Sequence, residues 1–239
     1  MNARVIDLTR LPGVWRGGEL ENAVHSTVPT GHAALDRELP GGGWPMGTLS
    51  EVLHEGAGIG EVGFLCGALA RASGGDRLIA WINPPHLPYA PALAQFGIAL
   101  ERCLVIRPER SEDALWAAEQ ALKSGACGAA LIWLHAVKNQ YAWLRRLQMA
   151  AEAGRAMAVH FRASADEKLS TPAHLRVVVS RENGLLRIRI PKRRGPPLSA
   201  SIGLDARVLP LRRGQRLEAA RVPQPAASSS RLVLLSLAS

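Results

Sequence analysis

From Thr30 onward, short apolar runs alternate with segments whose apolar residues recur at helical spacing. Leu49–His54 follows the turn-forming stretch Gly41-Gly42-Gly43-Trp44-Pro45-Met46-Gly47 and reads as a strand. Glu61–Ala72 reads as a helix ended by Gly74-Gly75. Leu78–Ile82 is a second strand, halted by Asn83-Pro84-Pro85, and Tyr89–Phe96 a short helix closed by Gly97. Cys103–Ile106 follows as a third strand. Ser111 reads as an N-cap, with Glu112 and Asp113 in the positive first turn. Behind it Leu115, Ala118, Ala121 and Leu122 share one helical face, and Gly125 is the stop. Gly128–Leu134 is almost purely apolar, as a strand covered on both faces must be. Asn139–Glu152 is another helix, with Leu144, Leu147 and Ala151 inward and Arg145 and Arg146 outward. Met157–Phe161 is the next strand. Leu175–Ser180 and Leu185–Ile190 then flank Arg181-Glu182-Asn183-Gly184, whose Asn-Gly pair is a hairpin signal.

Strands alternating with helices of this length predict βαβ units, hence an α/β fold with a mostly parallel sheet flanked by helices. A C-terminal antiparallel hairpin closes it, and a basic, partly disordered tail follows. Residues 1–29 read as a lead-in with a short helix, 30–190 as the core, and 191–239 as a tail of linker composition. The apolar stretch Leu232–Leu237 near the end suits docking on a partner or folding back on its own sheet.

Composition narrows the class. The chain has 239 residues, 47% of them hydrophobic and 21% charged, which excludes wholesale disorder. No run approaches the roughly 18 apolar residues of a membrane helix. The start, Met1–Asp7, lacks the apolar core of a signal peptide, so a cytoplasmic location is expected. Cys66, Cys103 and Cys127 stand far apart and read as reduced thiols. The net charge of +9 is uneven: the last segment, from Pro191, holds nine Lys/Arg against two acids. That asymmetry points to an acidic partner, nucleic acid or an acidic protein surface.

Ligands of parallel α/β sheets sit beyond the carboxyl ends of the strands. The first such end reads His54-Glu55-Gly56-Ala57-Gly58-Ile59-Gly60-Glu61-Val62, the position and glycine content of a phosphate loop. A working loop needs Lys for the β- and γ-phosphates and a hydroxyl for Mg²⁺. Here Gly60 is followed by Glu61 and Val62, and the chain contains no Gly-Lys dipeptide. Each like-charge pair at about 4 Å costs roughly 1–4 kcal/mol, against about 0.3–1 kcal/mol of helix-terminus attraction for an anion. The loop formed by Glu55, Gly56, Gly58, Gly60 and Glu61 therefore reads as degenerate. The apolar strand ends Leu134-His135, with no carboxylate between Glu119 and Glu152 to hold Mg²⁺. None stands between Asp76 and Glu101 to activate a water. The seven histidines show no metal-ligand spacing, and no serine sits in a nucleophile elbow. The tryptophans at 81, 116, 133 and 143 read as core or interface fillers. No catalytic residue, cofactor or metal is expected, and the chain reads as not an enzyme.

The segments Thr30–Asp36 and Gly41–Val52 resemble the entry to the RecA ATPase core, and Tyr89–Leu93, Ser111–Leu115 and Lys123–Ala126 continue in register. The resemblance covers about residues 28–190. Within that superfamily Trp81-Ile82-Asn83-Pro84-Pro85, Leu115–Gln120 and Ala130–Leu134 look like the ImuA family, related to the SulA cell-division inhibitors. That resemblance implies an accessory of SOS-induced translesion DNA synthesis and damage-induced mutagenesis, acting with ImuB and an error-prone polymerase and touching RecA. It carries over none of RecA's nucleotide-contacting residues, because Glu61, Val62 and Leu134 depart from the pattern. Arg193, Arg194, Arg212, Arg213 and Arg216 are the candidates for contact with DNA or a partner. Two other functions stay open: a SulA-like inhibitor of FtsZ, and an NTPase whose missing lysine is supplied by a neighbouring subunit.

Overall fold

A computed structural model describes residues 26–134, 140–195, 198, 200–205 and 233–235. Strands β1 (Thr27–Val28) and β2 (Trp44–Pro45) pair antiparallel as a small ribbon. The other described strands form one nine-stranded sheet. They are β3 (Thr48–His54), β4 (Leu78–Ile82), β5 (Cys103–Ile106), β6 (Cys127–Trp133), β7 (Met157–Ala163), β8 (Leu175–Glu182), β9 (Leu185–Lys192), β10 (Ile202–Asp205) and β11 (Val233–Leu235). Their order is β10-β9-β8-β3-β7-β6-β4-β5-β11, parallel from β8 to β11 and antiparallel from β8 to β10. The expected mostly parallel sheet with a closing hairpin is present. At the hairpin, Asn183 and Gly184 both have positive φ, 50° and 78°, the geometry a two-residue turn between twisted strands requires.

Helices α1 (Ala33–Asp36), α2 (Cys66–Ala72) and α3 (Ala90–Gln95) accompany one core, and α4 (Ser111–Lys123) and α5 (Gln140–Gly154) the other. On the first, Leu35, Phe64, Leu65 and Leu69 meet Val52, Ile79, Val105, Leu131, Val159 and Val177 of the sheet. On the second, Ala114, Leu115, Ala118, Leu122, Leu144 and Leu147 meet Leu49, Ala80, Ile132 and Ala158. Alternate residues of one strand thus serve opposite cores, so both faces of the central strands must be apolar. Each fully buried Leu or Ile contributes roughly 1.5–3 kcal/mol.

Two glycines set how closely these layers approach. A Cβ on Gly154 would lie 1.7 Å from the Leu122 carbonyl oxygen, and one on Gly128 1.8 Å from that of Ala72. The first contact joins α5 to α4, the second β6 to the end of α2. Arg77 fastens the same region: its Nη2 donates to the carbonyls of Cys127 at 2.6 Å and Gly154 at 2.9 Å. A guanidinium is thereby placed on the negative end of α5.

The structure departs from the sequence reading in four places. Arg110, with φ −101° and ψ 142°, is the N-cap of α4 and makes no side-chain capping bond; Ser111 is already helical. The Ala114 amide closes the first turn on the Arg110 carbonyl, which moves the cap one residue upstream. The helix expected from Glu61 begins later, as a 3-10 turn at Gly63–Leu65 leading into Cys66. The described end of the lead-in is a strand, β1; the helix expected in residues 1–29 otherwise lies outside the described residues. The sheet also continues beyond Pro191, through β9 to Lys192 and into β10 on one edge; on the other edge β11 agrees with the fold-back reading of Leu232–Leu237.

Candidate functional site

The glycine-rich loop joins β3 to α2 at the carboxyl end of the sheet. Gly58 and Gly60 have φ of 86° and 105°, conformations that L side chains rarely adopt. The turn aims their amides inward, at the Glu61 carboxylate. The Gly58 amide donates to Glu61 Oε1 at 3.0 Å and Oε2 at 3.1 Å, and the Gly60 amide to Oε2 at 3.1 Å. Glu61 is only 6% exposed. An amide concavity that would suit an external anion is filled by the chain's own carboxylate. This also explains the late start of α2: with its side chain turned back on residues 58–60, Glu61 stays in a turn. Glu55 stands exposed, apart from this contact.

An aromatic row crosses the strands beside this loop. His54, Phe161, Trp133 and Trp81 come from the adjacent strands β3, β7, β6 and β4. Trp133 stacks on Phe161 at 4.3 Å with an interplanar angle of 4°, and on Trp81 at 6.2 Å and 10°. His54 meets Phe161 edge-on at 6.2 Å. Trp81 and Trp133 thus pack as the sequence reading expects, whereas Trp116 on α4 is 56% exposed. Residues 135–139, including His135, lie outside the described residues.

The basic positions divide. Arg193 turns back onto the segment after α1: its Nη1 donates to the Glu38 carbonyl and lies 3.5 Å from Glu38 Oε2. Arg194 is exposed. Arg212, Arg213 and Arg216 lie outside the described residues.

One polar cluster escaped the sequence reading. Glu51, at the centre of β3, is fully buried between Arg162 of β7 and Arg176 of β8. Arg162 Nη1 donates to Glu51 Oε1 at 2.6 Å; Arg176 Nε donates to Oε2 at 2.8 Å, with its Nη2 at 2.7 Å. Arg162 also reaches Gln140 at 2.9 Å and Asp166 at 3.1 Å, and Arg176 donates to the carbonyls of Glu167 and Leu169. Burial pushes the Glu51 carboxyl up, but the two arginines outweigh it and hold the group below its ordinary value. The signal was present: a carboxylate inside Leu49-Ser50-Glu51-Val52-Leu53 must find buried partners if the strand is covered on both faces.

His160 neighbours Glu51 in register, and neither of its ring nitrogens meets a hydrogen-bond partner among the described residues. Burial foremost pulls its pKa down to about 4. The folded chain holds this ring neutral where the unfolded chain protonates it. Its stabilising effect is complete above the unfolded value of 6.5 and is lost as pH falls toward 4. The urea midpoint should therefore fall across that window, by a loss of about 3 kcal/mol at its low end. His160→Leu should flatten the profile; an unchanged slope in that variant would remove the assignment. Among the described residues no three His, Cys, Asp or Glu side chains gather as a metal site. The cysteines are buried and free, and burial, aided by neighbouring Cys103, pushes the Cys66 thiol up to about 12. At neutral pH that thiol is not a nucleophile.

Compared with known proteins, the chain is 30% identical over 110 residues to Protein RecA 1 of Myxococcus xanthus, which is 46% of this chain and 32% of that protein. It is 37% identical over 111 residues to Protein RecA of Bacillus velezensis, 46% of this chain and 31% of that protein. The fold is RecA-like. The chain spans about a third of the length of the curated RecA proteins it matches. No family model matches it. A crystal structure of SulA from Pseudomonas aeruginosa overlaps 48% of this chain and 98% of its own, at 24% identity and a TM-score of 0.39. In the loop after β3 of this RecA-like fold, Gly60 is followed by Glu61 and Val62. No helix of the described residues is long and apolar enough to cross a membrane.

Proposed function

We propose that this chain is a non-catalytic accessory of SOS-induced translesion DNA synthesis, a RecA-like body that works through contact with ImuB and an error-prone polymerase. The observation that supports it most is the Glu61 carboxylate seated on the amides of Gly58 and Gly60. A triphosphate entering this loop would have to expel that carboxylate and then sit beside it, with neither the usual lysine nor a hydroxyl at Val62 to offset the repulsion. At about 4 Å each such pair opposes binding by roughly 1–4 kcal/mol. The partial relatedness to RecA supports a place in the response to DNA damage, and the ImuA-like phrases around Trp81, Leu115 and Ala130 supply the narrower reading.

Titration calorimetry of the full chain with a nonhydrolysable ATP analogue and Mg²⁺ should register no binding heat. Glu61→Ala should leave the accessory function intact in a strain that depends on the gene. ATP hydrolysis by the purified protein, abolished by changes in residues 55–62, would overturn the reading. Co-purification with tagged ImuB tests the partner, comparing the full chain with a form ending at Asp205. That end point preserves β9 and β10, which a cut at Pro191 would break. Failure of the full chain to co-purify would remove ImuB as a direct partner.

A further inference from the structure

Helices α2, α3, α4 and α5 carry the chain from β3 to β4, β4 to β5, β5 to β6 and β6 to β7, and each buries apolar side chains. The next step is built differently. Strands β7 and β8 lie on either side of β3, and residues 164–174 join them with a 3-10 turn at Ser164–Lys168 and no α-helix. From Ala163 to Pro172 no residue is buried, and Leu169 stands 48% exposed. Burial resumes at Ala173, beside which the His174 amide donates to the Leu49 carbonyl at 3.0 Å.

Charge holds this segment instead of an apolar stripe. Arg162 reaches Asp166, and Arg189 clasps Glu167 with both terminal nitrogens, 2.5 Å to each oxygen. Arg176 donates to the carbonyls of Glu167 and Leu169, and Lys192 Nζ to that of Thr171 at 2.8 Å. Carbonyls 167, 169 and 171 alternate along the segment, as in extended chain laid on a row of donors. Where water competes for both partners such bonds each add little, and salt screens them. A segment with few buried apolar contacts is where a native protein opens without unfolding. We propose that residues 164–172 are a strap, latched by Arg162, Arg176, Arg189 and Lys192, that opens from its anchors at Ala163 and Ala173 while the sheet stays folded. Opening carries Asp166 and Glu167 away and leaves four cations facing Glu51 alone. The uncovered surface is therefore positive, and anions in the medium favour the open state. The device rests on none of the residues that support the accessory function, and its failure would leave that reading untouched.

Lys168 is exposed and lies inside the strap, so trypsin reports opening by cutting between Lys168 and Leu169. When closing is fast relative to cleavage, the rate follows the open population. The full chain is digested and the cut identified by mass spectrometry; a synthetic peptide of residues 163–175 corrects for trypsin's own response to salt. In the unaltered chain this bond should be cut while β7 and β8 stay intact, at a rate that low urea barely changes because little surface is exposed. Raising salt from about 0.05 M to about 0.5 M should speed the cut relative to the peptide. Arg189→Gln releases Glu167 and leaves the scissile sequence unchanged; it should speed the cut about two- to fivefold, the range for losing one exposed ion pair. Two results would each overturn the proposal: a rate at Lys168 that rises with urea in step with global unfolding, or one that neither salt nor Arg189→Gln alters.

Discussion

Replacing Glu51 by alanine should destabilise the fold by about 3–5 kcal/mol, the usual consequence of removing one partner from a buried ion pair. Net stabilities of single domains are only about 5–15 kcal/mol, so little folded protein should remain under mild denaturant. The cause is what stays behind. Arg162 and Arg176, 5% exposed each, would be left facing one another inside the sheet with no carboxylate between them. A triple replacement that also converts Arg162 to Met and Arg176 to Leu should recover much of the loss, since apolar groups of similar volume often match a buried ion network. Urea unfolding of the single and triple variants measures both. A loss below about 1 kcal/mol for Glu51→Ala would mean that water reaches the site and screens the charges, as at surface pairs.

Gly154→Ala and Gly128→Ala should both destabilise, against the usual sign. In helices and strands Gly→Ala generally gains about 0.5–1 kcal/mol through propensity and unfolded-state entropy. Here the added methyl would need to occupy space within 1.7 Å and 1.8 Å of carbonyl oxygens in the backbone of a neighbouring element. Neither oxygen belongs to a side chain that can swing away. Strain from overpacking is typically 1–3 kcal/mol and occasionally more, and a net loss at or above the top of that range is expected. Gly56→Ala supplies the contrast, because nothing lies within 4 Å of its Cβ position. Thermal or urea unfolding that found all three variants alike would refute the close approach of α5 to α4 and of β6 to α2.

The central strands were legible because their cause is local. Leu78–Ile82 and Cys103–Ile106 coincide with β4 and β5, and the others agree to within two residues at either end. β4 is an apolar run stopped by Asn83 and β5 one stopped by Pro108, while Asn183 and Gly184 turn β8 into β9. The edge strand β10 was hidden for the opposite reason: residues 202–205 sit in mixed sequence and pair with β9. The other edge was half legible, since the apolar stretch Leu232–Leu237 suited either a partner or its own sheet, and residues 233–235 pair with β5. Which of the two it meets is not encoded locally. At the candidate site the sequence showed Glu61 and Val62 after Gly60 and no Gly-Lys pair. It could not reveal that Glu61 turns back onto Gly58 and Gly60, because side-chain direction inside a turn depends on φ values that composition does not fix. Arg193 illustrates the same limit: its charge was visible, its engagement with Glu38 was not.

The seated carboxylate has a consequence for how the loop behaves over time. Glu61 is separated from Gly58 by two residues, so dilution, dialysis or a change in supply cannot carry it away. Under the non-catalytic reading, the loop keeps one shape whatever the energy charge of the cell, and a surface built around it is presented constitutively from the moment the chain folds.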